Sequence, residues 1–319
     1  MNVMTVTLHP AIDKVLRVDR LRPNEVVRCR VEMVHGGGKG NNVARALTRL
    51  RVPAVATGFQ GGYSGAYITE RIESEGIRTS FVECLEPTRT STLLQVDETG
   101  DTYPLYEPGQ SVTQAEVDAL YERYVSLLSS TSIVILCGSG QTALLAPVYR
   151  HMIELATQHH VQTILDSSGE ELRLGIAAKP FMVKVNRNEL GSCVGRSLTS
   201  RDDQIRAMME LREQGISIVG LSRGEGGLIV TDGDQIWEGW LRVDRIVNVV
   251  GCGDSQLAGI AKQILKTAPL DELVRWGVAC GTANTQVRGA GGIDMDTVLE
   301  MLPRVVLHEA DVASGIRSP

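Results

Sequence analysis

Three features of the sequence predict an α/β fold: a mostly parallel sheet with helices on both faces, plus a small antiparallel β lid. First, short apolar runs alternate with segments of helical periodicity over most of the chain, a pattern typical of parallel sheets. Second, 319 residues with 43% hydrophobic and 22% charged side chains are enough to bury a sizeable core. Third, the stretches 16–34 and 88–106 break the alternation with short extended patterns. We expect these two stretches to form one lid sheet inserted in a single domain, residues 1–319.

The periodicities also predict the order of the elements. Strands are predicted at 4–8, 54–58, 133–136, 162–166, 181–185 and 216–221, with hairpins in 88–106 and 227–237. Helices are predicted at 42–50, 64–75, 115–128, 143–157, 201–213, 255–266, 271–287 and 295–302. Asn41 or Asn42 is placed to cap the first helix. The tail from Val305 is weakly patterned, and we expect it to be poorly ordered.

Charge and composition argue against several classes of partner. A net charge of −6 disfavours nucleic acid and anionic membranes, and an aromatic content of 4% disfavours a stacking surface for single strands. No apolar run reaches membrane-spanning length, and the N-terminus reads as a first strand rather than a leader. The six cysteines are scattered without a C-x-x-C pair, which is typical of reduced thiols. We therefore expect a cytoplasmic protein with no nucleic-acid or membrane partner.

The most distinctive stretch runs from Arg245 to Leu265. The β-branched run at 246–250 predicts the end of a buried strand, and the apolar spacing after Ser255 predicts a helix. Gly251, Cys252 and Gly253 lie between them, so the backbone N–H groups of the helix start can attract an anion. A carboxylate at Asp254 would repel that anion, unless it takes a proton from a hydroxyl that attacks a phosphoryl group. The other interpretation is an aspartate that only caps the helix.

A second glycine loop, residues 35–42, leads into the first predicted helix. It lacks the spacing of a P-loop, and no Ser or Thr follows its lysine. A lysine and two amides at a helix start suit a polyhydroxylated, anionic ligand, since amides bind hydroxyls and Lys39 supplies charge. A flexible loop with a solvated lysine is an equally good interpretation.

Three further segments follow predicted strands, where α/β proteins place ligand groups. Asp13 comes after the first strand, and its alternative is a turn aspartate. Asn186 and Glu189 are oxygen ligands three residues apart that can reach Mg²⁺ directly or through water, although this spacing is also a capping pattern. The glycine-rich segment 222–227 lacks the order of a dinucleotide fingerprint, but its backbone can lie against a nucleotide.

Taken together, these stretches resemble the ribokinase-like (PfkB-type) sugar kinase family over nearly the whole chain. The stretch 36–47 (G-G-G-K-G-N-N-V-A-R-A-L) is similar to its N-terminal signature, and 250–259 to its C-terminal one. The segments 7–13 (T-L-H-P-A-I-D) and 88–94 are closer to the hexose-phosphate branch than to ribokinase proper.

The resemblance implies an ATP-dependent kinase acting on a hydroxyl of a phosphorylated ketohexose. Fructose 1-phosphate, giving fructose 1,6-bisphosphate, is the first choice of substrate, with tagatose 6-phosphate or fructose 6-phosphate close behind. ATP and Mg²⁺ are the implied cofactors. The lid would exclude water from the site, and it often pairs with a second subunit in relatives, which implies a homodimer.

The resemblance also implies a role for each site residue. Asp254 would be the catalytic base, with Gly251, Cys252 and Gly253 as the anion hole. The sugar and its phosphate would be bound by Asp13, Gly37, Gly38, Lys39, Asn42, Arg89 and Ser139. The nucleotide site would comprise Lys184, Asn186, Glu189, Ser222, Gly224, Gly227 and Asn284, with Asn284 by the adenine. Asn186 and Glu189 would also organise Mg²⁺.

Four positions depart from the family pattern: Cys252 for a usual Ala, Val185 for Pro, His9 for Asn and Asn41 for Ile. The first two keep the backbone conformation plausible and do not remove a catalytic group. A ribose- or nucleoside-type kinase of the same fold remains an alternative, as does a non-catalytic sugar-phosphate sensor. A nicotinamide-dependent oxidoreductase is disfavoured because no dinucleotide fingerprint follows a first strand.

Overall fold

The computed structural model describes residues 2–140 and 142–310, and these contain a ten-stranded sheet and a separate four-stranded sheet. The strands are β1 (Asn2–Thr7), β2 (Ala11–Val18), β3 (Arg30–Gly37), β4 (Ala54–Gly61), β5 (Arg78–Cys84), β6 (Arg89–Val96), β7 (Thr102–Tyr106), β8 (Thr131–Cys137), β9 (Gln162–Asp166), β10 (Met182–Asn186), β11 (Ile218–Ser222), β12 (Leu228–Thr231), β13 (Ile236–Trp240) and β14 (Val306–Ala310). The helices are α1 (Lys39–Arg49), α2 (Gly62–Ser74), α3 (Gln114–Leu128), α4 (Val148–Gln158), α5 (Gly169–Ala177), α6 (Arg187–Val194), α7 (Arg201–Glu213), α8 (Cys252–Ile264), α9 (Leu270–Asn284) and α10 (Met295–Met301).

The large sheet has the strand order β14-β13-β12-β11-β10-β9-β8-β1-β4-β5. All pairs from β5 to β11 are parallel, and the three pairs from β11 to β14 are antiparallel. The predicted α/β fold with a mostly parallel sheet is confirmed. Strand β1 lies between β4 on one side and β8 on the other, so the direction in which strands are added to the sheet reverses at β1. This reversal is the position where open α/β sheets form a ligand crevice.

Helices cover both faces of the large sheet. Successive residues of a strand point to opposite faces, so Val3 joins one buried apolar cluster and its neighbour Met4 joins the other. The first cluster is completed by α1, α2, α8, α9 and α10, and the second by α3 to α7. Burial on both faces explains why the strands read as continuous apolar runs.

The small sheet has the order β3-β2-β6-β7 and consists of two antiparallel hairpins. The second hairpin turns at 98–101, as predicted. Its two hairpins meet through a parallel pairing of β2 with β6. The parallel direction follows from the topology, because β2 follows β1 and β6 follows β5, so both strands start from the carboxyl ends of parallel strands of the large sheet. The sheet also extends beyond the predicted bounds, since β2 begins at Ala11 and β3 ends at Gly37.

Several local predictions were wrong. Residues 246–250 form no strand, and Ile246 and Val249 are exposed, because β14 occupies the sheet edge beside β13. The prediction of a poorly ordered tail from Val305 is wrong for Val306–Ala310, which form β14. Residues 311–319 lie outside the described part of the chain. Two short helices, α5 and α6, were missed because eight or nine residues carry little periodicity.

The capping prediction for the first helix was also wrong. Helix α1 begins at Lys39, so Asn41 and Asn42 lie inside its first turn, and Gly38 occupies the cap position without a side-chain hydrogen bond. Asn41 instead donates to the carbonyl of Gly37 (2.8 Å). Among the helices of residues 2–140 and 142–310, none is long and apolar enough to span a membrane.

Candidate active site

A cleft of about 590 Å³ lies where the large and small sheets meet. Its floor is formed at the carboxyl ends of the parallel strands: Thr7 at the end of β1, Ser139 after β8, Asp166 at the end of β9 and Asn186 at the end of β10. The small sheet forms the opposite wall. The cleft therefore sits at the β1/β8 reversal, where the strand order creates a crevice.

Helix α8 points its first turn into this cleft. Gly251 has a left-handed backbone (φ 83°), and a Cβ there would come within 2.4 Å of the Cβ of Ala290, so the turn requires glycine. Gly253 faces Lys184, whose Nζ lies 3.1 Å from where a Cβ would be placed. No side chain of the described residues caps this helix start. Apart from the N–H of Cys252, which makes a long hydrogen bond to the carbonyl of Val249 (3.5 Å), the N–H groups of this turn therefore remain available for an anion beside a lysine.

Asp254 is buried in the first turn of α8, with 7% of its surface exposed. Its Oδ2 accepts a hydrogen bond from Nδ2 of Asn42 (2.8 Å), which joins the two glycine loops across 212 residues of sequence. Burial and the nearby charge of Asp166 raise the pKa of Asp254, while the Asn42 hydrogen bond and two lysines oppose the shift. A carboxylate with a raised pKa is better matched to accept a proton near neutral pH.

Two lysines are held side by side by one buried carboxylate. Asp166 Oδ1 accepts from Lys39 Nζ (2.8 Å), and its Oδ2 accepts from Lys184 Nζ (2.9 Å). Burial alone would raise the pKa of Asp166, but the charges of Lys184 and Lys39 lower it to about 2. The same ion pair raises the pKa of Lys39. One carboxylate against two ammonium groups leaves a net positive charge next to Asp254.

The small sheet presents a row of polar groups to the cleft. His35, Asp13, Ser91 and Tyr106 are paired in register across β3, β2, β6 and β7, and all four line the cleft. Burial raises the pKa of Asp13 to about 6. Burial, reinforced by Arg45 and Arg71, lowers the pKa of His35 to about 4, so this imidazole is neutral at physiological pH.

Gly37 packs directly under Asp13. A Cβ at Gly37 would lie 2.0 Å from Oδ2 of Asp13, so only glycine leaves room for that carboxylate. Gly37 itself does not line the cleft, whereas Gly38 does.

Arg89 and His9 supply polar groups of the cleft that have unused hydrogen-bonding capacity. Arg89 donates from Nη1 to the carbonyl of Glu107 (3.3 Å), and its buried Nε has no partner among the described residues. Neither ring nitrogen of His9 has a hydrogen-bond partner of good geometry within that part of the chain, although the backbone of Gln110 lies close to the ring. Burial, followed by the charge of Arg89, lowers the pKa of His9. Unpaired buried donors of this kind are costly unless a ligand or water satisfies them.

The far end of the cleft carries Asn186, Glu189 and Ser222. Asn186 and Glu189 form a capping box at the start of α6, in which Asn186 Oδ1 accepts from the N–H of Glu189 and Glu189 Oε2 from that of Asn186. The capping pattern that the sequence also allowed is therefore present. Burial raises the pKa of Glu189.

Besides Gly37, four of the predicted site residues do not line the cleft. Cys252 points away from it, with its Sγ 3.6 Å from Nδ2 of Asn284. Gly227 is required structurally, because a Cβ there would clash with the carbonyl of Gly239, and Gly224 lies in a short turn before it.

Asn284 was predicted beside the adenine, but it is fully buried beneath the α8 turn. Its side chain donates to the carbonyl of Val250 and accepts from Ser255 Oγ and the N–H of Gly291. It therefore stabilises the glycine turn from below.

The oxygen donors of the cleft fit a magnesium ion that is bound by phosphate groups at the same time. Within residues 2–140 and 142–310, no group of three His, Cys, Asp or Glu residues could hold a metal by itself. Mg²⁺ usually keeps several waters and takes one or two carboxylates together with substrate phosphates. Glu189 retains Oε1 outside its cap bond, so it can serve such an ion.

Sequence reasoning missed Asp166, Arg45 and His35. Asp166 ends a correctly predicted strand, and the rule that singled out Asp13 would have found it. Arg45 and His35 gave no local signal, because their importance depends on contacts between distant segments.

A buried carboxylate at an anion-attracting helix start, with two lysines beside it, is the arrangement of a phosphoryl-transfer enzyme. The pfkB family carbohydrate kinase pattern matches residues 4–297, and the chain belongs to this family of ATP-dependent sugar kinases.

Its relatives include hexose-phosphate kinases. The chain is 33% identical to the 1-phosphofructokinase of Bacillus subtilis, over 95% of this chain and 98% of that protein. It is 29% identical to the ATP-dependent 6-phosphofructokinase isozyme 2 of Escherichia coli, over 90% and 93%. The structure of Escherichia coli phosphofructokinase-2 in complex with substrates and products matches with a TM-score of 0.88 at 28% identity, covering 95% of this chain and 99% of that chain.

Proposed function

We propose that this kinase transfers the γ-phosphoryl group of ATP to a phosphorylated ketohexose, with fructose 1-phosphate as its main substrate. ATP-dependent phosphorylation of a hexose phosphate agrees with the activities named for its relatives. The choice of fructose 1-phosphate is supported by the higher identity to the Bacillus subtilis protein. The observation that carries the proposal is the buried Asp254 at the start of α8, hydrogen-bonded to Asn42 beside the paired lysines.

Asp254 is the general base in this proposal. Its carboxylate takes the proton of the attacking sugar hydroxyl while that oxygen bonds to the γ-phosphorus and the bond to the β-phosphate oxygen breaks. The backbone N–H groups of Gly251, Cys252 and Gly253 donate hydrogen bonds to the phosphoryl oxygens. The contribution of Cys252 therefore comes from its backbone and not from its thiol. Lys39 and Lys184 balance the negative charge that develops there.

The small sheet holds the sugar phosphate. Asp13 and Asn42 bind hydroxyls, with Gly37 and Gly38 leaving room for the ligand and for the Asp13 carboxylate. Arg89 and Ser139 bind the phosphate already on the sugar, and the unpaired Nε of Arg89 supports this assignment.

The opposite end of the cleft takes the nucleotide. Lys184, Asn186 and Ser222 lie there and bind the phosphates of ATP, Glu189 acts on them through the metal ion, and Gly224 and Gly227 shape the adjoining turn. A magnesium ion held by the ATP phosphates with Glu189 and Asn186, directly or through water, would neutralise phosphate charge.

The outer face of the small sheet supports a homodimer. Val31, Leu16, Leu94 and Tyr103 are paired in register on this face, opposite the cleft, and Val31 and Tyr103 are 58% and 41% exposed. Apolar sheet faces of this kind are usually covered by a partner. We propose that two copies of a single kinase domain pair through these lids. Six free cysteines agree with the predicted cytoplasmic location.

A coupled assay of ADP release tests the substrate assignment. We expect the highest kcat/KM for fructose 1-phosphate, lower values for fructose 6-phosphate and tagatose 6-phosphate, and little turnover of ribose. Preference for ribose would indicate the ribose- or nucleoside-type alternative. Binding of sugar phosphate without ADP release would indicate a sensor.

A further inference from the structure

Arg45 occupies a buried position behind Asn42, on the side away from the cleft. It lies on α1, one turn after Asn42, and only 5% of its surface is exposed. Its Nη1 donates to Oδ1 of Asn42 (3.1 Å), and Asn42 in turn donates from Nδ2 to Oδ2 of Asp254 (2.8 Å). The Asn42 carboxamide is therefore bound at both ends.

The guanidinium is also held by three segments outside α1. Nη1 also donates to the carbonyl of Ala290 (3.0 Å), and Nη2 donates to that of Gly36 (2.8 Å). Glu75, at the end of α2, accepts from both Nε and Nη2. A planar guanidinium with five donors can serve this set of acceptors, whereas a lysine ammonium cannot.

We propose that Arg45 is a positioning residue, which acts through Asn42 to fix the hydrogen bond that orients the Asp254 carboxylate for proton transfer. An amide can present either its oxygen or its NH₂ group to a neighbour. Because Arg45 has only donors, Oδ1 of Asn42 must face Arg45 and the NH₂ group must face Asp254. This inference rests on the proposed role of Asp254 as the base.

The contacts of Ala290 and Gly291 make the arrangement a junction of the two catalytic loops. Ala290 touches Gly251 at the anion turn, and a Cβ on Gly291 would lie 2.3 Å from the carbonyl oxygen of Asn42. Arg45 thus contacts the end of β3 and the 289–291 segment directly, and it reaches the start of α8 through Asn42. A shift of that group would move the base and the anion turn together.

The main test is a double-mutant cycle with Arg45→Lys and Asn42→Ala, measured as kcat/KM against pH for the whole enzyme. We expect Arg45→Lys to lower kcat/KM roughly tenfold or more, the loss typical for a hydrogen-bonding arrangement at a charged group. The acid limb should move to higher pH, because the Asn42 hydrogen bond lowers the pKa of Asp254. In the Asn42→Ala background, Arg45→Lys should change neither quantity further.

The cycle uses a charge-conserving variant because several other charged groups also act on Asp254. Asp254 is faced by Lys39 from α1, Asp166 from β9, Lys184 from β10 and Asn42, and its charge also reaches Asp13 on β2. Arg45 lowers the pKa of Asp13 through its charge alone, so a charge-removing variant would also move that titration. Arg45→Lys retains the positive charge and so should leave the pKa of Asp13 nearly unchanged. Any direct effect of Arg45 on Asp13 would also appear in the Asn42→Ala background, so the cycle separates it from an effect that acts through Asn42.

Arg49→Lys, at an exposed position one turn further along α1, is the matched control and should leave rate and pH profile unchanged. If Arg45→Lys fails to fold, Glu75→Gln replaces it in the cycle, with a smaller shift in the same direction. Additive effects of Arg45→Lys and Asn42→Ala, or an unmoved acid limb, would overturn the positioning role. Asp254→Asn is assayed in parallel: if it stays active, the proposed function fails, whatever Arg45 does.

Discussion

The large and small sheets differ in how much of themselves they bury, and this difference separates two kinds of function. In β1 every residue after Asn2 is buried, and both faces of the large sheet are covered by helices. In β7 every residue is exposed, and β6 buries only Val96. The large sheet is therefore stabilised by its own packing. The small sheet buries too little to be stabilised by its own packing alone, and we expect a ligand on its cleft face or a partner on its outer face to stabilise it further.

The groups that we propose for catalysis and for selection of the sugar follow the same division. Asp254, Asp166 and Lys184 are fixed on the buried large sheet or its helices, whereas Asp13 and Arg89 stand on the exposed small one. A rigid frame suits proton and phosphoryl transfer, which depend on accurate placement. A sheet that closes over the ligand suits selection of the sugar and exclusion of water. Changes in the large sheet should therefore lower kcat, and changes in the small sheet should raise the KM for the sugar phosphate.

The largest effect is expected for Asp254→Asn. Removal of a general base lowers the rate by roughly 10² to 10⁴, while an isosteric amide keeps the fold. We expect kcat for the sugar phosphate to fall by this amount, with ATP affinity by calorimetry and the melting temperature preserved. Asp202→Asn, also in the first turn of a helix but exposed, is the control. A variant within a few-fold of the parent would remove Asp254 from the mechanism.

The next largest effect is expected on association, for Leu105→Glu on the small sheet. Leu105 is 54% exposed and pairs in register with Thr92, on the face away from the cleft. A charge in an apolar interface should weaken dimerisation by about thirtyfold, the loss of a typical hot spot. Sedimentation velocity measures it, and the melting temperature should change little. Leu299→Glu, with a similarly exposed leucine on α10, is the control. A parent protein that sediments as a monomer would contradict the dimer.

The sequence predicted the large sheet well because its strands are buried on both faces. Continuous apolar runs such as β8 and helical periodicities such as α7 carry that burial directly in the residue order. The run at 246–250 has the same β-branched composition, yet it forms an exposed loop. Strand propensity depends on a free sheet edge, and β14 fills that edge from the end of the chain.

The site could be predicted in part, for a similar reason. Glycine turns and strand ends indicated Asp254, Asp13 and Lys39, since local rules place such residues at a ligand. The partner of Asn42 could not be found this way, because Asp254 lies 212 residues away in the sequence. Local patterns made Asn42 a helix cap, and only the packing of α1 against α8 gives it a different partner.

Arg89→Ala should have a smaller effect, confined to the sugar side. Loss of a charged hydrogen-bond donor costs about 1.5 to 3 kcal/mol, so the KM for the sugar phosphate should rise about tenfold or more. The KM for ATP should stay nearly constant, because Arg89 stands on the small sheet. Arg17→Ala, on the same sheet but outside the cleft lining, is the control. Equal KM values for the sugar phosphate in parent and variant would exclude a phosphate role for Arg89.

The smallest effect concerns stability, and it is expected for Asp13→Asn. Burial raises the pKa of Asp13 from 3.8 to about 6, so the folded protein binds this proton more tightly than the unfolded chain. Stability therefore falls as pH rises from about 4 to 6, and the full cost of the buried charge is present above 6. Asn carries no charge, so the variant should be more stable at pH 7 by about 1 kcal/mol, a value reduced by the partial exposure of the group. Below pH 4 the difference should vanish.

Denaturant unfolding at pH 7 and at pH 4 measures both differences. The control is Asp19→Asn, which alters an exposed carboxylate at the end of the small sheet. The gain should come with a higher KM for the sugar, because the carboxylate whose burial lowers stability is the group that we propose accepts the sugar hydroxyls. If the gain at pH 7 persists unchanged at pH 4, the buried charge of Asp13 is not its cause.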